Sequence, residues 1–152
     1  GKSILDKQPK NNIVIISGVL NSLLPCYTEK SHPGMHCPPK TKGMLEAVFV
    51  EGHTDNVPIR GVGYTNWELS SQRAINTYKY MREVQPGLSK LFNSRNEPLF
   101  SVAGYADSRP QVIHEKPTRE ARNRRIDMRF IMTPPPKKVH KIIQEIHKRD
   151  VR

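Results

Sequence analysis

The apolar and polar positions along the chain divide it into a small set of elements. Residues 13–24 (IVIISGVLNSLL) carry Ile13, Val14, Ile15, Ile16, Val19, Leu20, Leu23 and Leu24 behind a candidate N-cap, Asn12. Asn12 would cap a helix over 13–24, but periodicity alone would equally allow a strand at 13–17. Residues 47–50 (AVFV) form a short β-favouring run closed by Gly52, and read as a buried strand. Beyond a loop with Pro58, Gly61 and Gly63, the positions Leu69, Ala74, Ile75, Tyr78 and Met81 recur at helical spacing and predict a helix over 66–82. Gln85-Pro86-Gly87 stops it, and 88–98 is a connector with one apolar turn. Residues 99–103 (LFSVA) predict a second strand, and 118–124 a capped helical turn. In 125–132, Ile126, Met128, Phe130 and Met132 alternate with Asp127, Arg129 and Ile131, the pattern of a half-buried strand.

Outside these elements the chain is irregular. Residues 1–11 are polar apart from Ile4 and Leu5 and read as a connection. Residues 25–42 (PCYTEKSHPGMHCPPKTK) hold four Pro and both cysteines. Cys26 and Cys37 allow one intrachain bridge. Free thiols, or a metal held by Cys26, His32, His36 and Cys37, are the less favoured readings, since adjacent His36 and Cys37 ill suit one ion. Thr133 and three prolines close the domain, giving a division into 1–132 and 133–152. In the second part Val139, Ile142, Ile143 and Ile146 stripe a basic amphipathic helix over 137–149, whose simplest role is docking on protein.

Composition narrows the classes. An apolar share of 36% in 152 residues supports one modest core rather than two. The net charge of +11 points to an anionic partner such as nucleic acid, acidic lipid or an anionic wall polymer. With one Trp, five Tyr and four Phe, no basic stripe is interleaved with stacking residues, which weighs against nucleic acid. No run of 18 apolar residues is present, the first residue is Gly1 rather than Met, and no signal peptide is seen. The expectation is a fragment cut from a longer protein.

The chemistry concentrates at 46–74 (EAVFVEGHTDNVPIRGVGYTNWELSSQRA). A strand that delivers polar side chains at its carboxyl end, followed by a loop and a helix, is a common way to build a pocket. Asp55 at the strand exit and Arg73 on the helix would present opposite charges to one cavity. Such a cavity suits a ligand with both an ammonium and a carboxylate. No nucleophile motif, second carboxylate or metal pattern accompanies His53 and Asp55, so no catalytic residue is assigned and His53 is read as structural. Asp107 and Arg109 could form a local ion pair, and Arg119, Arg122, Arg124 and Arg125 make the densest basic cluster.

The ordered motifs GHTD (52–55), N-x-x-LS-x-x-RA (66–74) and Asn123-Arg124-Arg125 resemble the OmpA-like peptidoglycan-binding domain. TDNVP, the longer loop and NWELSSQRA look most like the MotB-type stator proteins of ion-driven bacterial motors. The resemblance covers about residues 2–132 and implies an α+β fold, a βαβαβ sandwich with a mixed sheet packed on two main helices. It implies a grip on the diaminopimelate of the peptidoglycan stem peptide, with no cofactor and no metal. Asp55 would take the ligand's ammonium and Arg73 its carboxylate, with Thr54, Asn66, Leu69 and Arg124 lining the same pocket. A strand precedes the first helix in that family, whereas residues 1–12 are too polar for one. The expectations are therefore an unfilled sheet position, a homodimer that covers it, and an amino-terminal membrane part meeting a MotA-like channel subunit. Two placements fit a periplasmic domain of this kind: a flagellar stator and the MotB-like subunit of a Zorya-type anti-phage defence motor. The cysteine-bearing insertion and basic tail depart from ordinary flagellar stators and favour the second. From another class, a basic nucleic-acid-binding domain would account for the charge but not for Asp55 and Arg73.

Overall fold

The structure is a computed structural model that describes residues 7–28, 37, 44–59 and 63–134. The expected carboxyl-terminal helix, most of the Pro-rich insertion with His32 and His36, and residues 1–6 lie outside them.

Helix α1 spans Lys7–Leu23 and runs into a 3-10 turn, Leu24–Tyr27. It starts six residues before the expected first turn at 13. Pro9 is no obstacle there, because the first-turn N–H groups of a helix have no intrahelical acceptor. Strand β1 is Leu45–Gly52, helix α2 is Asn66–Val84, strand β2 is Phe100–Gly104 and strand β3 is Ile126–Met132. The 88–98 connector begins inside a 3-10 turn, Pro86–Lys90. The capped helical turn expected at 118–124 is only a hydrogen-bonded turn, with the Arg124 N–H donating to the Ala121 carbonyl.

The sheet order is β2-β1-β3, with β1 parallel to β2 and antiparallel to β3. Both helices pack on one face of this mixed sheet, the fold class expected from the sequence. Val48, Val50, Leu99 and Phe100 from the strands meet Ala74 and Met81 of α2, and Leu20 and Leu24 close the core from the α1 side. On the other face Glu51 is 4% exposed, accepts from the Tyr105 hydroxyl and pairs with Arg129. That pairing raises the Arg129 pKa above its ordinary value.

Two apolar patterns are only partly used. In α1, Ile13 and Leu20 turn inward with Ser17, while Val14, Ile15, Ile16, Val19 and Leu23 stay exposed. In β3, Ile126 and Met128 pack on the core, but Phe130 and Met132 are 44% and 43% exposed. The alternation fails at that end because β3 is an edge strand among the described residues and the helices do not reach its outer half.

Cys26 and Cys37 are joined in a disulfide beside the buried Leu24 and Pro25. Their sulfurs are thereby unavailable to a metal. Closing so short a loop is worth about 2–3 kcal/mol. The Cys26→Ser/Cys37→Ser variant should lose about that much in urea unfolding, and a variant as stable as the parent would show that the bridge constrains nothing.

Candidate functional site

Two glycines set the geometry of the site. Gly52 and Gly104 are register partners at the carboxyl ends of the parallel strands, and the first turns of α2 lie flush against both. A Cβ on Gly52 would stand 2.0 Å from the Ser70 carbonyl oxygen, and one on Gly104 would stand 2.6 Å from the Ser71 nitrogen. Just beyond β1, the His53 N–H donates to the Arg125 carbonyl and the Thr54 N–H to the Ala106 carbonyl. The Ala106 N–H donates in turn to Ser70 Oγ, so this buried alanine is held in the left-handed region (φ 47°) by bonds on both sides.

Helix α2 begins at a capping box. Thr65 Oγ1 accepts from the Trp67 N–H, and the Glu68 carboxylate accepts from the Thr65 N–H. The Thr65 hydroxyl, with two backbone bonds, lowers the Glu68 pKa. Asn66, the first helical residue, donates through Nδ2 to the carbonyls of Asp55 (3.3 Å) and Val57 (3.2 Å). It folds the loop after β1 back over the helix start.

The result is a cleft of about 420 Å³. Thr54, Asp55, Asn66, Leu69, Arg73 and Arg124, the six residues singled out from the sequence, all line it. Val57, Pro58 and Ile59 supply an apolar wall, and Arg119 a further cation. Asp55 is 8% exposed; its Oδ2 accepts from Arg124 Nη1 at 2.7 Å, and its Oδ1 receives only a long 3.4 Å contact from the Val57 N–H. Thr54 Oγ1 is buried and makes no hydrogen bond. Arg73 is half-buried and forms no ion pair or hydrogen bond with a described residue. Burial, then the repulsion of Arg124, lower its pKa against the pull of Asp55, yet a guanidinium keeps its charge. A desolvated cation and a carboxylate with one open oxygen therefore face one cavity, with Thr54 in its wall.

The arginine cluster is sorted by the fold. Arg124 pairs with Asp55, Arg125 with Asp127, and Arg122 with Glu120, while Arg119 lines the cleft with no ion-pair partner among the described residues. Arg109 does not pair with Asp107: its guanidinium lies 3.8 Å from the centre of the Tyr105 ring. His53 is 1% exposed and stacks on Tyr105. Burial and the nearby Arg125 hold its pKa below the ordinary imidazole value, so it is neutral at pH 7 despite Asp127 at 3.4 Å. It takes no part in the cleft.

The OmpA family profile matches residues 40–124, more than half of the chain. The chain belongs to the OmpA family. Its fold is also that of several solved structures. The C-terminal domain of Helicobacter pylori MotB (residues 125–256) is 16% identical, with 99% of this chain and 92% of that one covered and a TM-score of 0.56. A longer Helicobacter pylori MotB periplasmic domain (residues 78–256) is 16% identical, with coverages of 97% and 76% and a TM-score of 0.56. The cell wall anchor of the T6SS from Pseudomonas aeruginosa is 22% identical, with coverages of 84% and 68% and a TM-score of 0.52. No protein with a curated description matches the sequence significantly.

In this OmpA-family domain three positions at or around the cleft were given no role in it from the sequence. Asn56, next to Asp55, holds the 114–118 segment: Nδ2 donates to the carbonyls of His114 and Lys116, and Oδ1 accepts from the Thr118 N–H. Asn123 Oδ1 accepts from the N–H groups of Gln111 and Val112. Its place at the head of the NRR motif was the available signal. Arg119 was visible only as one of four clustered arginines.

Proposed function

We propose that this domain is a non-catalytic peptidoglycan-binding module that anchors an ion-driven membrane motor to the cell wall through stem-peptide diaminopimelate. Arg73 carries the reading: a desolvated arginine without an ion-pair or hydrogen-bond partner among the described residues, across a cleft from a buried carboxylate, calls for a ligand carboxylate beside an ammonium. The ligand's ammonium would meet Asp55 Oδ1, its carboxylate Arg73 and the Thr54 hydroxyl, and its methylene chain Leu69. Asn66 acts as a positioning residue through the loop it holds, and Arg124 orients Asp55. Family membership and the MotB and cell-wall-anchor folds support this placement.

The wider reading is a periplasmic domain, residues 1–132, of an inner-membrane protein that works with a MotA-like channel subunit, followed by a linker and basic helical tail at 133–152. A Zorya-type defence motor is preferred over a flagellar stator on the strength of the cysteine-bearing insertion and the tail. No helix among the described residues is long and apolar enough to cross a membrane.

Cosedimentation with purified sacculi, in competition with heparin, tests the function. Retention on sacculi that heparin leaves intact is the expected result. Retention on heparin alone would replace the reading with a nucleic-acid-binding one.

The exposed apolar face of α1 and the edge that β3 leaves unpaired among the described residues favour a homodimer. Sedimentation at micromolar concentration should show two chains, and truncation after Thr133 should weaken the pairing or lower solubility. A soluble monomer after that truncation would remove the dimer from the proposal.

A further inference from the structure

The charges that line the cleft do not balance, and the excess has a place. Arg73, Arg119 and Arg124 stand against Asp55 alone, an excess of two positive charges. Asp55 is already occupied by Arg124 at 2.7 Å. A ligand group with one ammonium and one carboxylate is neutral and leaves that excess untouched.

The fold holds Arg119 in the cleft by its backbone. Three hydrogen bonds from Asn56 fasten the 114–118 segment, ending at the Thr118 N–H one residue before Arg119. Nearby acids do not neutralise it. Glu120 accepts from Arg122 and lies 3.4 Å from His114 Nε2, and these contacts, led by Arg122, hold its carboxyl at about 2. Among the described residues Arg119 has no ion pair or hydrogen bond of its own. The backbone next to this cation is anchored, and Arg119 borders the same cavity as Arg73.

We infer that Arg119 forms a second anion subsite, so that the cleft takes a ligand carrying a carboxylate in addition to the ammonium–carboxylate pair assigned to Asp55 and Arg73. This rests on the proposed function and deepens it. A stem peptide whose remaining carboxylates are free fits, and one whose carboxylates are amidated fits less well. An N-acetyl-L-Ala-γ-D-Glu-meso-diaminopimelate tripeptide has three carboxylates and one ammonium, matching the charge excess with opposite sign.

The test is calorimetric titration of the whole chain at low salt with that tripeptide and with two analogues. Each analogue has one of the two carboxylates outside the ammonium-bearing centre converted to an amide. The parent should bind the free acid about three- to fivefold tighter than one of the amides, the range for a partly solvated ion pair. Arg119→Gln should bind acid and amide alike, at the parent's affinity for the amide. Added salt should narrow the parent's preference. Arg119 is exposed and has no ion pair or hydrogen bond among the described residues, so the variant's unfolding curve should match the parent's. Equal affinity of the parent for acid and amides, or a preference undiminished in Arg119→Gln, overturns the second subsite. If sacculus retention still depends on Arg73 in that case, the anchoring function stands; if the parent binds neither tripeptide nor sacculi, both fall.

Discussion

Replacing Arg73 with alanine should lower affinity for purified sacculi roughly ten- to hundredfold while leaving the domain as stable as before, within about 0.5 kcal/mol. The two halves of that expectation have separate causes. A charge-assisted contact between a guanidinium and a ligand carboxylate is worth about 1.5–3 kcal/mol, and each 1.4 kcal/mol is tenfold in affinity. Within the protein, by contrast, Arg73 has no hydrogen bond or ion pair to lose among the described residues, and its nearest cationic neighbour, Arg124, repels it. Asp55→Asn should also release sacculi, but with a stability cost of about 1 kcal/mol, because it unpairs Arg124, which is 38% exposed and therefore partly screened. Cosedimentation and thermal melts on the same preparations separate the two effects. Arg73→Ala with full retention on sacculi would sink the assignment of this cleft.

Gly52→Ala should be the most damaging single-methyl change in the described structure, at about 2–4 kcal/mol, measured by urea unfolding. The added carbon would lie 2.0 Å from the Ser70 carbonyl oxygen and 2.8 Å from its carbonyl carbon. Both are backbone atoms of α2, so no side-chain rotation relieves the clash and the helix must retreat from the sheet. Retreat would also strain the Ser70 Oγ bond to the Ala106 N–H and carry Arg73 away from Asp55. Binding should fall with stability. Gly63→Ala is the control: Gly63 has φ 74° with nothing within 4 Å of its absent Cβ. Only the left-handed backbone cost of about 1 kcal/mol applies there. If Gly52→Ala proves as mild as Gly63→Ala, α2 does not depend on close approach to β1.

The sequence by itself determined the elements and the kinds of residue at the site. Apolar periodicity marked α2 and the three strands among the described residues, because burying one face imposes a period of 3.6 or 2 on any chain, while the run at 13–24 left helix and strand both open. Gly52 followed by Thr54 and Asp55, and Arg73 one helix turn beyond Leu69, stood out because a strand exit facing a helix is where polar side chains can converge. Tertiary structure decided the rest. Five apolar residues of α1 and two of β3 remain exposed, since a period identifies a face but not the neighbour that covers it. Of four clustered arginines, three found a carboxylate among the described residues and Arg119 did not. That sorting depends on Asn56 and Asn123 bonding to backbone up to 62 residues away, and on Asp55 meeting Arg124 across 69 positions. Charge pairing acts over a few ångströms in space and leaves no mark on sequence spacing, so only the folded chain shows which cations are left for a ligand.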